Sequence, residues 1–262
     1  MAEKRFLNRR AFLRAAVIAG AGLLAGRPKA LRAAPARLYC PILMYHYISE
    51  VPAGADALRR GLTVTPAQFA GHLDYLAGEG FIAVTLAHLA SALRGEAVLP
   101  PKPVVLTFDD GYGDAFANAC PALAERGMTG VFFVVSSFME QAGYLSWAQA
   151  AEMRQAGLEI GSHSATHPNL IGLSHEALMA EVEGSARVIE EMLGERPVSF
   201  CYPLGRYDAG VIRAVRESGY LAAVTTADGT LHSTASLYRL RRVRVRGQTS
   251  TNGLAWLVNR QV

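Results

Sequence analysis

The stretch "VVLTFDDGYGD", Val104 to Asp114, decides how the rest of the chain is read. An apolar, β-branched run leads directly into two adjacent carboxylates, Asp109 and Asp110, and then Gly111. The run has the composition of a strand buried on both faces. Two like charges side by side raise each other's cost of ionisation, so a chain keeps such a pair where something nearby uses it. Adjacent residues leaving a strand point in different directions. One carboxylate can then face a bound cation while the other faces the water that the cation holds, and the cation offsets their repulsion. Gly111 lets the backbone turn immediately afterwards.

Outward from this strand, strand and helix signals alternate. "PILMYHYI" (residues 41–48) reads as a first strand, and Thr65-Pro66 opens a helix with an N-cap followed by Pro at the first helical position. "FIAV" (81–84) is a short strand, and Thr85 caps the next helix. After "PVVLTF" come "GVFFVV", "LEIGS", "PVSFCY" and "YLAAVTT", separated by helical patterns, the longest opened by Ser174 with Leu178, Val182, Ile189 and Leu193 on one face. Continuous apolar strands between helices predict an α/β fold with a parallel sheet covered on both sides. About seven such units favour a closed or nearly closed barrel, which leaves few edges; an open doubly wound sheet is the alternative.

The chain has 262 residues and a formal charge of +4, which invites a nucleic-acid reading. The charge distribution removes it. Residues 1–36 alone carry +7, which leaves the remainder at −3 against the +4 of the whole. That front end reads as a targeting segment: Arg9-Arg10 followed by Phe12-Leu13, a modest apolar run from Ala15 to Ala25, then the small-x-small site Ala34-Pro35-Ala36. It has the look of a twin-arginine export signal, which predicts a periplasmic or secreted bacterial protein with no stable membrane insertion after signal removal. The domain expectation is a 1–36 signal and a single 37–262 domain. Cys40, Cys120 and Cys201 make an odd number with no metal-like spacing, so they read as buried thiols.

In a parallel α/β fold the residues just past the strand C-termini are where chemistry collects. Asp109 and Asp110 fall there, as do His163 and His167 in "GSHSATHPNL", the segment "CYPLGRYD", and His46. Pro168 argues against a continuing helix and for a tight loop that converges the two imidazoles. Two His and one carboxylate make a common three-ligand set for a catalytic divalent metal. On this reading Asp110 ligates and Asp109 takes a proton.

"TFDDG", "HSATH" and "YPLGRYD" resemble the first three motifs of the polysaccharide deacetylases, the NodB-homology group of carbohydrate esterases, and the resemblance spans roughly residues 40–246. It implies a distorted (β/α)7 barrel, a divalent metal of the zinc type (Co2+, Ni2+ or Mn2+ being alternatives), and hydrolysis of N-acetyl groups from an amino-sugar polysaccharide. Asp109 is then the general base, and Asp110, His163 and His167 are the ligands. The oxyanion and substrate-binding group becomes Tyr202, Pro203 and Leu204, with the Leu204 backbone N–H as donor. The family's Arg two residues before the motif's Pro is here Cys201, so the partner of Asp109 is open. "PILMYHYIS" resembles the opening strand of exported poly-N-acetylglucosamine deacetylases, which makes His46 the general acid, with His232 in "TADGTLHSTAS" as the competing candidate. "RLRRVRVRG" (Arg239 to Gly247) reads as a strand whose charged face deters edge pairing, or as a contact for an anionic glycan. The partner implied is an N-acetylated glycan and not a nucleic acid. Two other functions remain: a hydrolase of another non-peptide C–N bond on the same barrel, and a non-catalytic carbohydrate-binding module.

Overall fold

The structure, a computed structural model, describes residues 37–262; the expected export segment, residues 1–36, lies outside the described residues. Seven parallel strands form a closed barrel: β1 (Ile42–Tyr45), β2 (Pro103–Phe108), β3 (Val131–Val134), β4 (Glu159–Ser162), β5 (Ser199–Cys201), β6 (Ala222–Asp228) and β7 (Leu240–Arg244). Each pairs with its neighbours in chain order. β7 pairs with β1 through Val243 opposite Leu43, and β1 pairs with β2 through Ile42 opposite Val105, which closes the ring. The α/β barrel expected from the alternating pattern is therefore the observed fold.

Two memberships differ from the sequence reading. "FIAV" contributes only Ile82–Ala83, which pairs with the start of β2 outside the ring. Its place is taken by "LRRVR". This segment is no edge strand, because it pairs on both sides, with β6 and β1. A strand inside a closed barrel has one face turned to the interior, so its alternating charges cannot all be turned to water. "PILMYHYI" also divides at His46: Ile42–Tyr45 enters the barrel, while Tyr47–Ile48 pairs with Thr63–Val64.

The helices follow the caps in the sequence. They are α1 (Ala57–Leu62), α2 (Pro66–Gly78), α3 (Leu86–Leu93), α4 (Cys120–Glu125), α5 (Trp147–Gln155), α6 (His175–Leu193), α7 (Ala209–Glu217) and α8 (Thr251–Asn259). Thr65 and Ser146 form reciprocal capping boxes with Gln68 and Gln149, and Ser174 accepts from the Ala177 N–H. Three apolar clusters divide the core. One, with Phe69, Leu73, Phe108, Phe132, Val243 and Leu254, packs α2 and α8 against the barrel. Another packs α6 and α7 against β5 and β6 through Val182, Val211, Phe200 and Ala223. The third joins Ile42, Val105, Phe133, Val224 and Leu240 of the strands to Leu86, Leu89 and Leu93 of α3, which seals the N-terminal end of the barrel. Gly161 makes room for this filling, since a Cβ there would lie 2.6 Å from the Phe133 ring. Cys40, Cys120 and Cys201 are free and buried, as expected. Among the described residues no helix is long and apolar enough to cross a membrane.

Candidate active site

The C-terminal rim of the barrel gathers residues from five strands. Asp109 and Asp110 follow β2, His163 follows β4, and His167 ends the loop after it. Cys201 closes β5, His46 follows β1, and Arg242 lies in β7. The loop is held from behind. The Glu181 carboxylate on α6 accepts from the Ala165 and Thr166 N–H groups and the Thr166 hydroxyl at 3.0, 2.8 and 2.6 Å. Ser164 Oγ accepts from the His167 N–H at 3.0 Å. The tight loop read from Pro168 is therefore present, and a Glu from a distant helix fixes its shape.

Backbone strain concentrates here. Of the five non-glycine residues with positive φ among the described residues, four lie in these loops: Asp110 (74°), Ser164 (67°), His167 (62°) and Leu204 (59°). Left-handed backbone is costly for residues with a Cβ and persists where the surroundings over-determine it. Gly111 follows Asp110 with φ 75°, and a Cβ there would approach the Val134 Cα at 3.3 Å. A glycine is therefore required both by conformation and by space.

The two carboxylates make different contacts. Asp110 Oδ1 lies 3.3 Å from His163 Nε2 and 3.6 Å from His167 Nε2. The three ligand-type atoms all lie within 4.8 Å of one another. His163 Nδ1 donates to the Cys201 carbonyl at 2.7 Å, so in the neutral imidazole the Nε2 lone pair faces Asp110. A lone pair facing a carboxylate with no proton between them is an arrangement that a cation stabilises. The donor set thus fits a divalent metal with three protein ligands.

Asp109 reaches into the barrel beside this group, with a carboxylate oxygen, a His163 ring nitrogen and Cys201 Sγ all within 4.8 Å of one another. Its two oxygens accept from the two terminal nitrogens of Arg242, each at 2.7 Å. The pair is buried, with side-chain exposures of 0% for Arg242 and 4% for Asp109. Burial alone would raise the Asp109 carboxyl, but the guanidinium outweighs it and holds the group well below the usual carboxylate range. Arg242 is anchored by every other donor direction. It donates from Nε to the Thr225 carbonyl at 2.8 Å, to Thr107 Oγ1 at 3.0 Å, and to Cys201 Sγ at 3.2 Å. Cys201 is thus part of the cradle around Asp109, and the cation that this position lacks arrives from β7, two strands along the ring.

Arg242 is the functional residue that the sequence reading missed. Its signal was a carboxylate without a partner, in a chain whose segment Arg239 to Gly247 carries alternating arginines at 242, 244 and 246. Of the remaining expectations, His46 stands on the rim, partly buried, with Nδ1 unpartnered; burial lowers its pKa, against the pull of Asp109 and Asp110. His232 is not on the rim. Its Nε2 donates to the carbonyl of Cys40, at the N-terminal side of β1, at 2.9 Å. Burial pushes it down to about 4. Leu204 stands out from the third loop with its side chain 58% exposed, while Pro203 is buried. Tyr202 is a correction as a substrate contact: its ring is buried against Tyr207, and its hydroxyl donates to the Tyr238 carbonyl at 2.8 Å.

A closed parallel barrel with an Asp-Asp pair and two His at its C-terminal rim defines a (β/α)7-barrel hydrolase. The family model described as polysaccharide deacetylase matches residues 97–223. YxkH of Bacillus subtilis (strain 168), which carries the name of a polysaccharide deacetylase, is 33% identical over 211 residues, covering 80% of this chain and 72% of that protein. The Streptococcus pyogenes deacetylase PplD, solved in complex with acetate, aligns with a TM-score of 0.79 at 27% identity, over 85% of this chain and 99% of that one. The poly-β-1,6-N-acetyl-D-glucosamine N-deacetylase of Escherichia coli (strain K12) is 27% identical over 143 residues, 48% of this chain and 20% of that protein. The chain belongs to the polysaccharide deacetylase family, hydrolases that cleave non-peptide carbon–nitrogen bonds.

Proposed function

We propose that this chain is an exported, metal-dependent N-deacetylase that releases acetate from an amino-sugar polysaccharide. The observation that carries the metal dependence is the convergence of Asp110 Oδ1, His163 Nε2 and His167 Nε2 at the barrel mouth. A glycan of N-acetylated amino sugars is the substrate class that fits the family, and zinc is the ion that the His2Asp set suits first. Export rests on the twin-arginine pattern in residues 1–36, with residues 37–262 as the single mature domain.

Asp110, His163 and His167 would hold the metal, and when bound it would supply Lewis-acid polarisation of the acetamide carbonyl and would lower the pKa of water from about 15.7 towards 7. Asp109 accepts the proton of the attacking water, and Arg242 fixes the carboxylate while that proton arrives. The Leu204 N–H donates to the oxygen on which charge develops. The amine is a poor leaving group, so it must be protonated as the C–N bond breaks, and His46 on the facing side of the rim supplies that proton.

The test measures metal content and acetate release together. The wild type is expected to bind one divalent metal and to release acetate from N-acetylglucosamine oligomers. His163→Ala is expected to lose both. A metal-free wild type with full turnover, or a His163→Ala enzyme that keeps its metal, would overturn the assignment.

A further inference from the structure

The arginines of β7 differ in their partners. Alternation puts Arg242 and Arg244 on the inward face of the strand. Val243 and Val245, both buried, face the other way into the layer under α2 and α8. Arg242 is fully used by Asp109, Thr107, Thr225 and Cys201. Arg244 stands one level higher, towards the open mouth, opposite Met44 and two residues short of the level of His46. Its charge bears on both His46 and Asp109. It is half-buried, and no hydrogen bond or ion pair engages it among the described residues.

Among the described residues, Asp109 is the acid whose charge bears on it, and no carboxylate bonds it. Asp109 is doubly bonded to Arg242, Asp110 faces two histidines, and Asp114 is turned towards Ile48, Ser49 and Arg59. Arg244 is further surrounded by like charge from Arg242 and Arg246. A partly desolvated cation among other cations is unfavourable unless an anion arrives to share it, and clefts that perform chemistry are where such arrangements are kept. A guanidinium presents two parallel N–H donors, which match the two oxygens of a carboxylate.

We infer that Arg244 binds a carboxylate at the barrel mouth, either one carried by the glycan beside the sugar being deacetylated or the acetate that the reaction releases. The inference rests on the deacetylase reading above. Anion binding at this position would make the enzyme either selective for acidic glycans or sensitive to its own product.

The experiment compares metal-loaded wild type, Arg244→Gln and Arg244→Lys, each checked for unchanged thermal unfolding. Two N-acetylated oligosaccharides are used, one bearing a lactyl carboxylate and the other its methyl amide, and added acetate is titrated as inhibitor. If the glycan supplies the carboxylate, Arg244→Gln lowers the acid-to-amide ratio of kcat/KM about 10- to 100-fold, the range for a charge-assisted hydrogen bond, and Lys restores part of it. If acetate is the ligand, the ratio stays and the acetate inhibition constant rises by a similar factor. Both quantities within twofold of wild type would overturn the inference. A wild type that releases acetate from neither oligosaccharide would refute the deacetylase reading instead. In that case acetate binding by titration calorimetry, which needs no turnover, still decides for or against Arg244.

Discussion

The two ends of β1 carry histidines of opposite character. Beyond its C-terminal end stands His46, on a rim with a buried ion pair and left-handed backbone at Asp110, Ser164, His167 and Leu204. At its N-terminal side the Cys40 carbonyl holds His232, beside a barrel floor closed by Leu86, Leu89 and Leu93. The rim concentrates groups that are costly to keep in place. The floor concentrates apolar contacts, each fully buried Leu side chain being worth about 1.5–3 kcal/mol. The same seven strands serve both ends, so stability gained at one end supports strain at the other.

Substitutions at the rim should therefore break turnover, and substitutions at the floor should break stability alone. The largest effect is expected for Asp109→Asn, which removes the base but no ligand. Turnover should fall about 10⁴-fold, the upper range for general-base removal, with metal content unchanged. Loss of metal as complete as in His163→Ala would mean that the two carboxylates share one task. Next is Arg242→Gln, which strands Asp109 as a buried, unpaired charge. Urea unfolding should show a loss of about 3–5 kcal/mol. A loss under about 1 kcal/mol would mean that the buried pair is replaced by water or by another cation.

His46→Ala sharpens the contrast at the rim. It should keep the metal and lower kcat by about 10²–10⁴, while His232→Ala keeps kcat near normal. The reverse pattern would move the proton donor to the floor. The smallest effect concerns pH and the floor. His232 is 1% exposed and its pKa is pushed down to about 4, so the folded state binds its proton less readily than the unfolded chain does. Its contribution is present above the unfolded value of about 6.5 and is lost as pH falls from there towards about 4, up to about 3 kcal/mol. His232→Gln should flatten the stability profile over that window. An unchanged profile would show that His232 adds nothing to acid sensitivity.

Most of the barrel and the core of the candidate site could be read from local pattern. "PVVLTFDDG" carries a buried strand, its end and its two carboxylates in one run, and the His-x-x-x-His-Pro segment announces its own tight loop. What was not legible depends on closure. "RLRRVRVR" alternates like an edge strand, and only the ring shows that one side of it is the interior. Arg242 could not be paired with Asp109 from sequence, because 133 residues separate them and only ring closure, with β1 between β7 and β2, brings them together. Glu181 reads as one more acid on the solvated side of a long helix until the loop it clamps is in place. "FIAV" has a strand's composition but only two paired residues, since the chain turns into α3 to form the floor. The family match itself runs over residues 97–223, so both His46 and Arg242 fall outside it.

Closure by β7 has a consequence for how the protein is made. The ribosome delivers β1 first and β7 last, and the two must meet across nearly the whole domain for the ring to form. That strand also brings the only cation bonded to Asp109 among the described residues. A chain that ends before β7 can therefore gather the residues proposed to hold the metal, which all precede β5, yet its proposed base remains unbraced and its barrel open. Closing of the ring and bracing of the proposed base are one event, so a fragment that lacks β7 has neither.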